Sequence, residues 1–173
     1  MIRGSPDDLL DGLVAGEDRA FAALYDRHGA AMFRVAVAIL GSPEEAEDAV
    51  QDVFISLVRL GTGLRAVRNL KAYLFASVRR AATKRLPTGR PAGLLGADPA
   101  DPRTGAAPAE SAMGARLQRA LACLPAEQRE IVALHVDAGL TFAACADVLG
   151  VSPNTAASRY RYALAKLRDA LKE

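Results

Sequence analysis

From residue 142 the chain reads Phe142-Ala143-Ala144-Cys145-Ala146-Asp147-Val148-Leu149-Gly150-Val151-Ser152-Pro153-Asn154-Thr155-Ala156-Ala157-Ser158-Arg159-Tyr160-Arg161. Phe142, Cys145, Ala146 and Leu149 make a short apolar face at helical spacing, and Gly150 permits a tight turn. Ser152-Pro153 then caps and starts a long final helix. Ala146, Gly150 and Ala156 are spaced as a helix-turn-helix requires, with a small residue at the crossing, a glycine in the turn and a small residue in the second helix. In that second helix Ala156, Tyr160, Ala163, Leu164, Leu167 and Leu171 are expected to face inward. Asn154, Ser158 and Arg161 face outward, flanked by Thr155, Arg159 and Tyr162. Such a stripe suits a major groove, because Asn pairs with adenine edges, Arg with guanine edges and Ser with several groups. Thr155 and the amides of the first turn are placed to hold a phosphate.

Upstream of this pair, Leu117, Leu121 and Leu124 precede Pro125, and Ile131, Val132, Leu134 and Val136 precede a break at Gly139. Both groups recur at helical spacing and are expected on apolar faces. Between Leu86 and Ala109, Pro87, Gly89, Pro91, Gly93, Gly96, Pro99, Pro102, Gly105 and Pro108 interrupt every possible helical turn. A segment of this composition buries too little apolar surface to offset its ordering entropy, so it reads as a linker, mobile or extended unless a partner orders it. The expected fold is all-α. A first helical domain spans residues 1–85, a Pro/Gly-rich linker 86–110, and a second small helical domain carrying the helix-turn-helix 111–173.

In the first domain Phe21, Leu24, Tyr25, Met32, Val35, Ala36, Ile39 and Leu40 predict one long amphipathic helix ending near Gly41. Ser42-Pro43-Glu44-Glu45 supplies an N-cap, a proline in the first turn and a carboxylate three residues after the cap. The helix that begins there puts Ala46, Ala49, Val50, Val53 and Leu57 on one face and Glu44, Glu45, Asp48, Gln51 and Asp52 on the other, with Phe54 at the boundary. A third helix, from about Asn69 to Arg85, is expected to bury Leu70, Tyr73, Leu74, Val78 and Ala81, with Phe75 and Arg79 one turn apart and pointing elsewhere.

The net charge of +2 says little, but its distribution says more. Ser42 to Asp52 holds five acids and no base, whereas Arg59 to Arg85 holds eight bases and no acid. A second basic stretch, Arg159, Arg161, Lys166, Arg168 and Lys172 against Asp169, closes the chain. No apolar run reaches the roughly 20 residues of a bilayer span, and the N-terminus lacks a signal-peptide core, so the cytoplasm is expected. Cys123 and Cys145 lie in apolar helical patterns without metal-ligand spacing and read as small core residues. His28 and His135 stand isolated, with no nucleophile, metal cluster or phosphate loop. Catalysis, a metal and a cofactor are therefore not expected.

Phe21-Ala22-Ala23-Leu24-Tyr25, followed by Ala46-Glu47-Asp48-Ala49-Val50-Gln51-Asp52-Val53-Phe54, closely resembles the polymerase-binding stretch of extracytoplasmic-function (ECF) sigma factors of the sigma-70 superfamily. Leu124-Pro125-Ala126-Glu127-Gln128-Arg129-Glu130 and Val151 to Arg161 resemble the promoter-reading domain of the same family. The resemblance implies an alternative sigma factor that binds core RNA polymerase and directs promoter-specific initiation. It implies that the helix from Pro43 to Leu60 docks on a coiled coil of the largest polymerase subunit through Asp48, Gln51, Asp52 and Phe54. The helix from Asn69 to Arg85 would capture the melted minus-10 strand, with Arg79, Arg80, Lys84 and Arg85 on phosphates and Phe75 stacking on a base. The final helix would read the minus-35 element through Ser152, Asn154, Thr155, Ser158, Arg159, Arg161 and Tyr162. Members of the family are usually restrained by an anti-sigma factor.

The chain departs from the family pattern at several points. Tyr73 stands where a Trp is common, Arg80 where an Asn is common, and Ala144 and Cys145 replace the usual Glu and Ile. The segment from Leu60 to Asn69 is short and poor in aromatics for a strand-separating loop. The competing reading is a helix-turn-helix regulator that binds duplex DNA without polymerase. The acidic face of the second helix argues against it.

Overall fold

The computed structural model describes residues 6–86 and 112–172, so the Pro/Gly-rich segment 86–110 lies, apart from Leu86, outside the described residues. The described residues form helices and turns without a strand. In the N-terminal module α1 (Pro6–Val14) leads into the long α2 (Asp18–Leu40), then α3 (Pro43–Leu60), a 3-10 turn (Gly61–Ala66) and α4 (Leu70–Arg85). The C-terminal module holds α5 (Ala112–Ala122), α6 (Ala126–Val132), a π-turn (Ala133–Asp137), α7 (Phe142–Leu149) and α8 (Pro153–Lys172).

Short polar side chains set the helix starts. Ser42 accepts from the Glu45 amide at the head of α3, Asn69 from Ala72 at α4 and Thr141 from Ala144 at α7. Each satisfies one of the amides that a helix N-terminus leaves unpaired. Ser152 does the same for α8 through the Thr155 amide, 3.1 Å away, and its hydroxyl also meets the Thr155 hydroxyl at 2.9 Å. Between α7 and α8, Gly150 adopts φ 68°, a left-handed conformation open to glycine at little cost.

Packing follows the predicted faces, with informative exceptions. Leu24, Met32, Val35 and Ala36 of α2 meet Ala46, Ala49, Val53 and Leu57 of α3 and Leu74 and Val78 of α4 in one buried cluster. The same cluster continues without a break into Ile131, Leu134, Leu140, Cys145 and Leu149 of the C-terminal module. A smaller cluster, Ala120, Leu124, Val132, Ala163 and Leu167, ties α5 and α6 to α8. The two modules are thus packed against each other.

Several side chains expected inside are outside: Tyr25, Leu117, Val136 and Leu164 are exposed, as is Cys123, whereas Cys145 is buried. Burial pushes the Cys145 thiol up to about 11, which keeps it protonated and inert. On α4 the small residue that is buried is Ala82, with Ala81 only partly covered. The largest correction is Phe75, which is 0% exposed where the periodicity of α4 points it away from the core. An isolated amphipathic helix has one buried face, but α4 is packed by α2, α3 and α7, and Phe75 lies in the buried cluster with its ring edge-on to His28 of α2.

Neither histidine stands apart from the packing. His135 Nδ1 lies 2.7 Å from the Leu140 carbonyl, which can only accept, so Nδ1 carries the proton. Its ring stacks on Phe142 at 4.3 Å and meets Tyr160 edge-on at 4.8 Å, joining the π-turn to both helices of the helix-turn-helix. Among the described residues no helix is long and apolar enough to cross a membrane, and no group of three or more His, Cys, Asp or Glu could hold a metal ion.

His28 meets the Phe75 ring edge-on at 6.4 Å, and burial, with Lys71 and Arg27 adding repulsion, holds its pKa below the ordinary 6.5. An unfolded His28 takes up a proton that the folded ring resists. The stability His28 contributes is therefore present above the unfolded value, declines as pH falls below it and is lost as pH falls through the lower folded value. Thermal unfolding followed by circular dichroism at about pH 7.5 and pH 5.5 should show a drop in Tm on acidification that shrinks in His28→Gln. An equal drop in both proteins would place the acid sensitivity elsewhere.

Candidate polymerase and nucleic-acid interfaces

Three surfaces carry the residues singled out from sequence. The first is a cleft of about 920 Å³ between α2 and α3, lined by Tyr25, Asp26, Gly29, Phe33, Glu47, Asp48, Val50, Gln51 and Phe54 among others. Asp48, Gln51 and Phe54 fall together here. Tyr25 and Glu47, which lie in the stretches that resemble the polymerase-binding region, join them, as do Asp26 and Phe33, which lie outside those stretches. Tyr25 is 57% exposed and its ring lies 5.6 Å from that of Phe54, so two aromatics floor a cleft with an acidic rim. Gly29 gives the Tyr25 ring room, because a Cβ there would meet it at 3.1 Å and require a shift of a few tenths of an ångström. Glycine inside a helix costs about 1 kcal/mol relative to Ala. A Tyr followed four residues later by a Gly in a long helix is the signal available in the sequence.

Asp52, the fourth residue of this group, turns the other way. Its carboxylate accepts from Arg85 Nη2 at 2.6 Å, and Asp48 lies 3.9 Å from the same guanidinium. The acidic face of α3 is therefore joined to the basic end of α4, and Arg85 is drawn from one expected interface toward the other.

The second surface is α4. Arg80 and Lys84 are exposed, with Arg80 lying 5.9 Å from the Tyr73 ring centroid in a cation–π contact and donating to the Ser77 hydroxyl at 3.1 Å. Arg79 is committed elsewhere: its Nε donates to Glu130 Oε1 on α6 at 2.6 Å. Of the aromatic and cation expected side by side on an open face, Phe75 is thus buried and Arg79 is engaged across the module junction.

The third surface is the start of α8. Asn154, Arg161 and Tyr162 are exposed, while Thr155, Ser158 and Arg159 are half-buried. Ser152 is exposed but takes the Thr155 amide as a cap, so that amide is not free for a phosphate. The Ser158 hydroxyl donates to the Thr155 carbonyl at 2.9 Å, which leaves its lone pairs facing out as acceptors. Arg159 pairs with Glu127 of α6 at 2.8 Å. What projects freely is an amide, a guanidinium and a phenol on one side of a capped helix.

Around the junction, four polar links that no sequence pattern announces connect the modules. Arg34 Nε donates to Asp137 Oδ1 at 2.6 Å, Arg129 Nε to the Ala38 carbonyl at 2.6 Å, and Lys71 Nζ to the Gly139 carbonyl at 3.0 Å, beside the Arg79–Glu130 pair. Burial raises the Glu130 pKa, opposed by the Arg79 charge and hydrogen bond, and burial lowers that of Arg129, opposed by Glu130.

Comparison with known proteins joins these surfaces. Residues 24–90 match the sigma-70 region 2 family and residues 114–167 the sigma-70 region 4 family. The ECF RNA polymerase sigma factor SigM of Mycobacterium tuberculosis H37Rv is 34% identical over 166 residues, covering 94% of this chain and 83% of its own length. Among solved structures, CnrH in complex with the cytosolic domain of CnrY is 26% identical, with a TM-score of 0.67 over 95% of each chain. The sigma factor RpoE of Bartonella quintana, solved with the anti-sigma factor NepR, shares the fold at a TM-score of 0.68 and 24% identity over 88% of this chain and 96% of its own. A region 2 match sets aside the regulator that reads duplex DNA without polymerase. With both sigma regions present in order and a relative similar along nearly the whole length, the chain belongs to the ECF RNA polymerase sigma factors and is an alternative sigma factor that directs transcription initiation.

Proposed function

We propose that the chain divides this work among its three surfaces, with residues 1–85 acting as the core-binding and minus-10 domain, 86–110 as a linker and 111–173 as the minus-35 domain. The single observation that supports this division most directly is the cleft between α2 and α3, where Tyr25 and Phe54 form an apolar floor under Asp48 and Gln51. An aromatic anchor rimmed by charge is the arrangement of an interface hot spot. A helix of the largest-subunit coiled coil carrying basic residues is the partner it fits. Asp52 contributes less directly, by fixing Arg85.

Arg80 and Lys84 are the cations of α4 left open for the minus-10 strand, with Arg85, Arg79 and Phe75 reaching it only after rearrangement. Asn154, Ser158 and Arg161 read base edges of the minus-35 element, while Ser152, Thr155, Arg159 and Tyr162 position the helix on the backbone. Sigma factors are non-enzymatic initiation factors, and in this reading the chain performs no catalysis, needs no cofactor or metal and acts in the cytoplasm. Its further partner is an anti-sigma factor. RpoE, which shares the fold, is solved with one.

Retention of core polymerase on the immobilised chain tests the docking surface. Asp48→Arg should weaken it at least about tenfold, the factor set by 1.4 kcal/mol. Its Tm should stay nearly unchanged, because an exposed pair such as Asp48–Arg85 stabilises by only about 0–1 kcal/mol. An intact chain that fails to retain core polymerase would sink the docking proposal. At the other end, Arg161→Ala should cost roughly 1–3 kcal/mol in holoenzyme binding to a cognate minus-35 duplex and change the base preference at one position. A loss uniform across sequences would assign Arg161 to the phosphate backbone.

A further inference from the structure

The module junction lies on the surface proposed to capture the melted strand. α6 and the π-turn pack on α2 and α7 packs on α4, and across this junction Arg79 donates its Nε proton to Glu130 at 2.6 Å. The Glu130 side chain is only 12% exposed. Arg34–Asp137 repeats the pairing at a second place along the same junction. Each pair sets a carboxylate of the C-terminal module against a guanidinium of the N-terminal one. A carboxylate and a DNA phosphate offer the same thing to a guanidinium, namely anionic oxygens that accept its N–H groups.

By contrast, the α2–α3 cleft and the exposed side of α8 are uncovered in this arrangement. Tyr25 is 57% and Tyr162 65% exposed. The closed molecule therefore occupies part of the α4 surface, through Arg79, and leaves Arg80, Lys84 and the other two surfaces available.

We propose that Glu130, seconded by Asp137, is an autoinhibitory strand mimic: it holds Arg79 and keeps the C-terminal module on α4, so that Arg79 engages single-stranded DNA only when that module moves off. This rests on the reading of α4 as the strand-capture helix. Closure costs apparent affinity in proportion to how rarely the open form is populated. A latch that leaves the chain open about a tenth of the time lowers strand binding about tenfold.

The test uses the full chain, small-angle scattering for compaction and a fluorescein-labelled oligothymidine at low salt for strand binding. Glu130→Gln should enlarge the radius of gyration and tighten oligothymidine binding up to about tenfold. Arg79→Glu and Glu130→Arg should each open the chain. The double variant, with the pair reversed, should close it again, a rescue that a general packing defect would not give. If Glu130→Gln does not fold by circular dichroism, Asp137→Asn carries the same measurement with the same expected direction.

An unchanged radius of gyration in Glu130→Gln and Asp137→Asn would overturn the latch, and so would an opened chain that binds oligothymidine no better. Arg80→Ala with Lys84→Ala, both outside the junction, separates that failure from failure of the strand-capture reading. If this pair abolishes the residual oligothymidine binding, α4 remains the strand helix and only the latch falls. If the pair binds as the unaltered chain does, the strand reading falls and the latch with it.

Discussion

A single apolar cluster running from α2, α3 and α4 into α6 and α7 is the constraint on which the arrangement depends. Neither module buries its apolar residues entirely by itself. Leu134, Leu140 and Cys145 belong to the same buried body as Leu74, Phe75 and Val78. Each large aliphatic side chain taken fully out of water contributes about 1.5–3 kcal/mol, whereas a typical hydrogen bond adds about 0.5–1.5 kcal/mol net. The four polar links around the cluster fix the register, because Arg129 meets the Ala38 carbonyl and Arg34 meets Asp137 in only one alignment.

Charge segregation has a consequence inside the N-terminal module as well. The acids of α3 and the bases of α4 would each repel their own neighbours if left alone. Arg85 relieves both by reaching across to Asp52 and Asp48. Arg85 Nε is buried without a partner, so the guanidinium is held by its outer nitrogens only. An arginine so placed can exchange partners more readily than Arg79, whose carboxylate partner is nearly buried. Of the basic residues on α4, Arg80 and Lys84 are immediately available, Arg85 follows after exchange of exposed partners, and Arg79 requires the modules to part.

Helix starts, the turn at Gly150 and the inward face of α3 were legible because they are set by residues adjacent in sequence. Ser42-Pro43, Asn69, Thr141 and Ser152 cap the helices that periodicity places after them. What was not legible depends on contacts between segments far apart in the chain. Phe75 reads as outward because one helix taken alone has one buried face, whereas α4 is packed by several helices and the Phe75 ring meets His28 of α2. Leu164 and Leu117 read as inward from period alone, yet the small core of the C-terminal module is filled by Ala120, Leu124, Val132, Ala163 and Leu167 and has no need of them. Tyr25 read as core because an aromatic in an apolar stripe usually is. Gly29 contributes, because its missing side chain leaves room for the Tyr25 ring beside the cleft. Arg34, Arg129, Glu130 and Asp137 each look like ordinary solvated charges until the modules are brought together.

The departures from the family pattern around the helix-turn-helix have a structural answer in the same terms. Ala144 stands where the resemblance leads one to expect a carboxylate that orients the motif, and the motif here is oriented by other means. Thr141 caps α7, and Phe142 at its first position stacks on His135, which is itself pinned by its Nδ1 proton to the Leu140 carbonyl. Tyr160 closes the group from α8, 5.4 Å from Phe142 and 4.8 Å from His135. Three rings drawn from the π-turn, α7 and α8 thus fix the angle between the two helices, and Arg159 ties α8 to Glu127 on α6. A ring cluster is less sensitive to ionic strength than an exposed carboxylate pair would be. The orientation of α8 is therefore set mainly by packing and by one hydrogen bond to a carbonyl, with the Arg159–Glu127 pair as the salt-sensitive part.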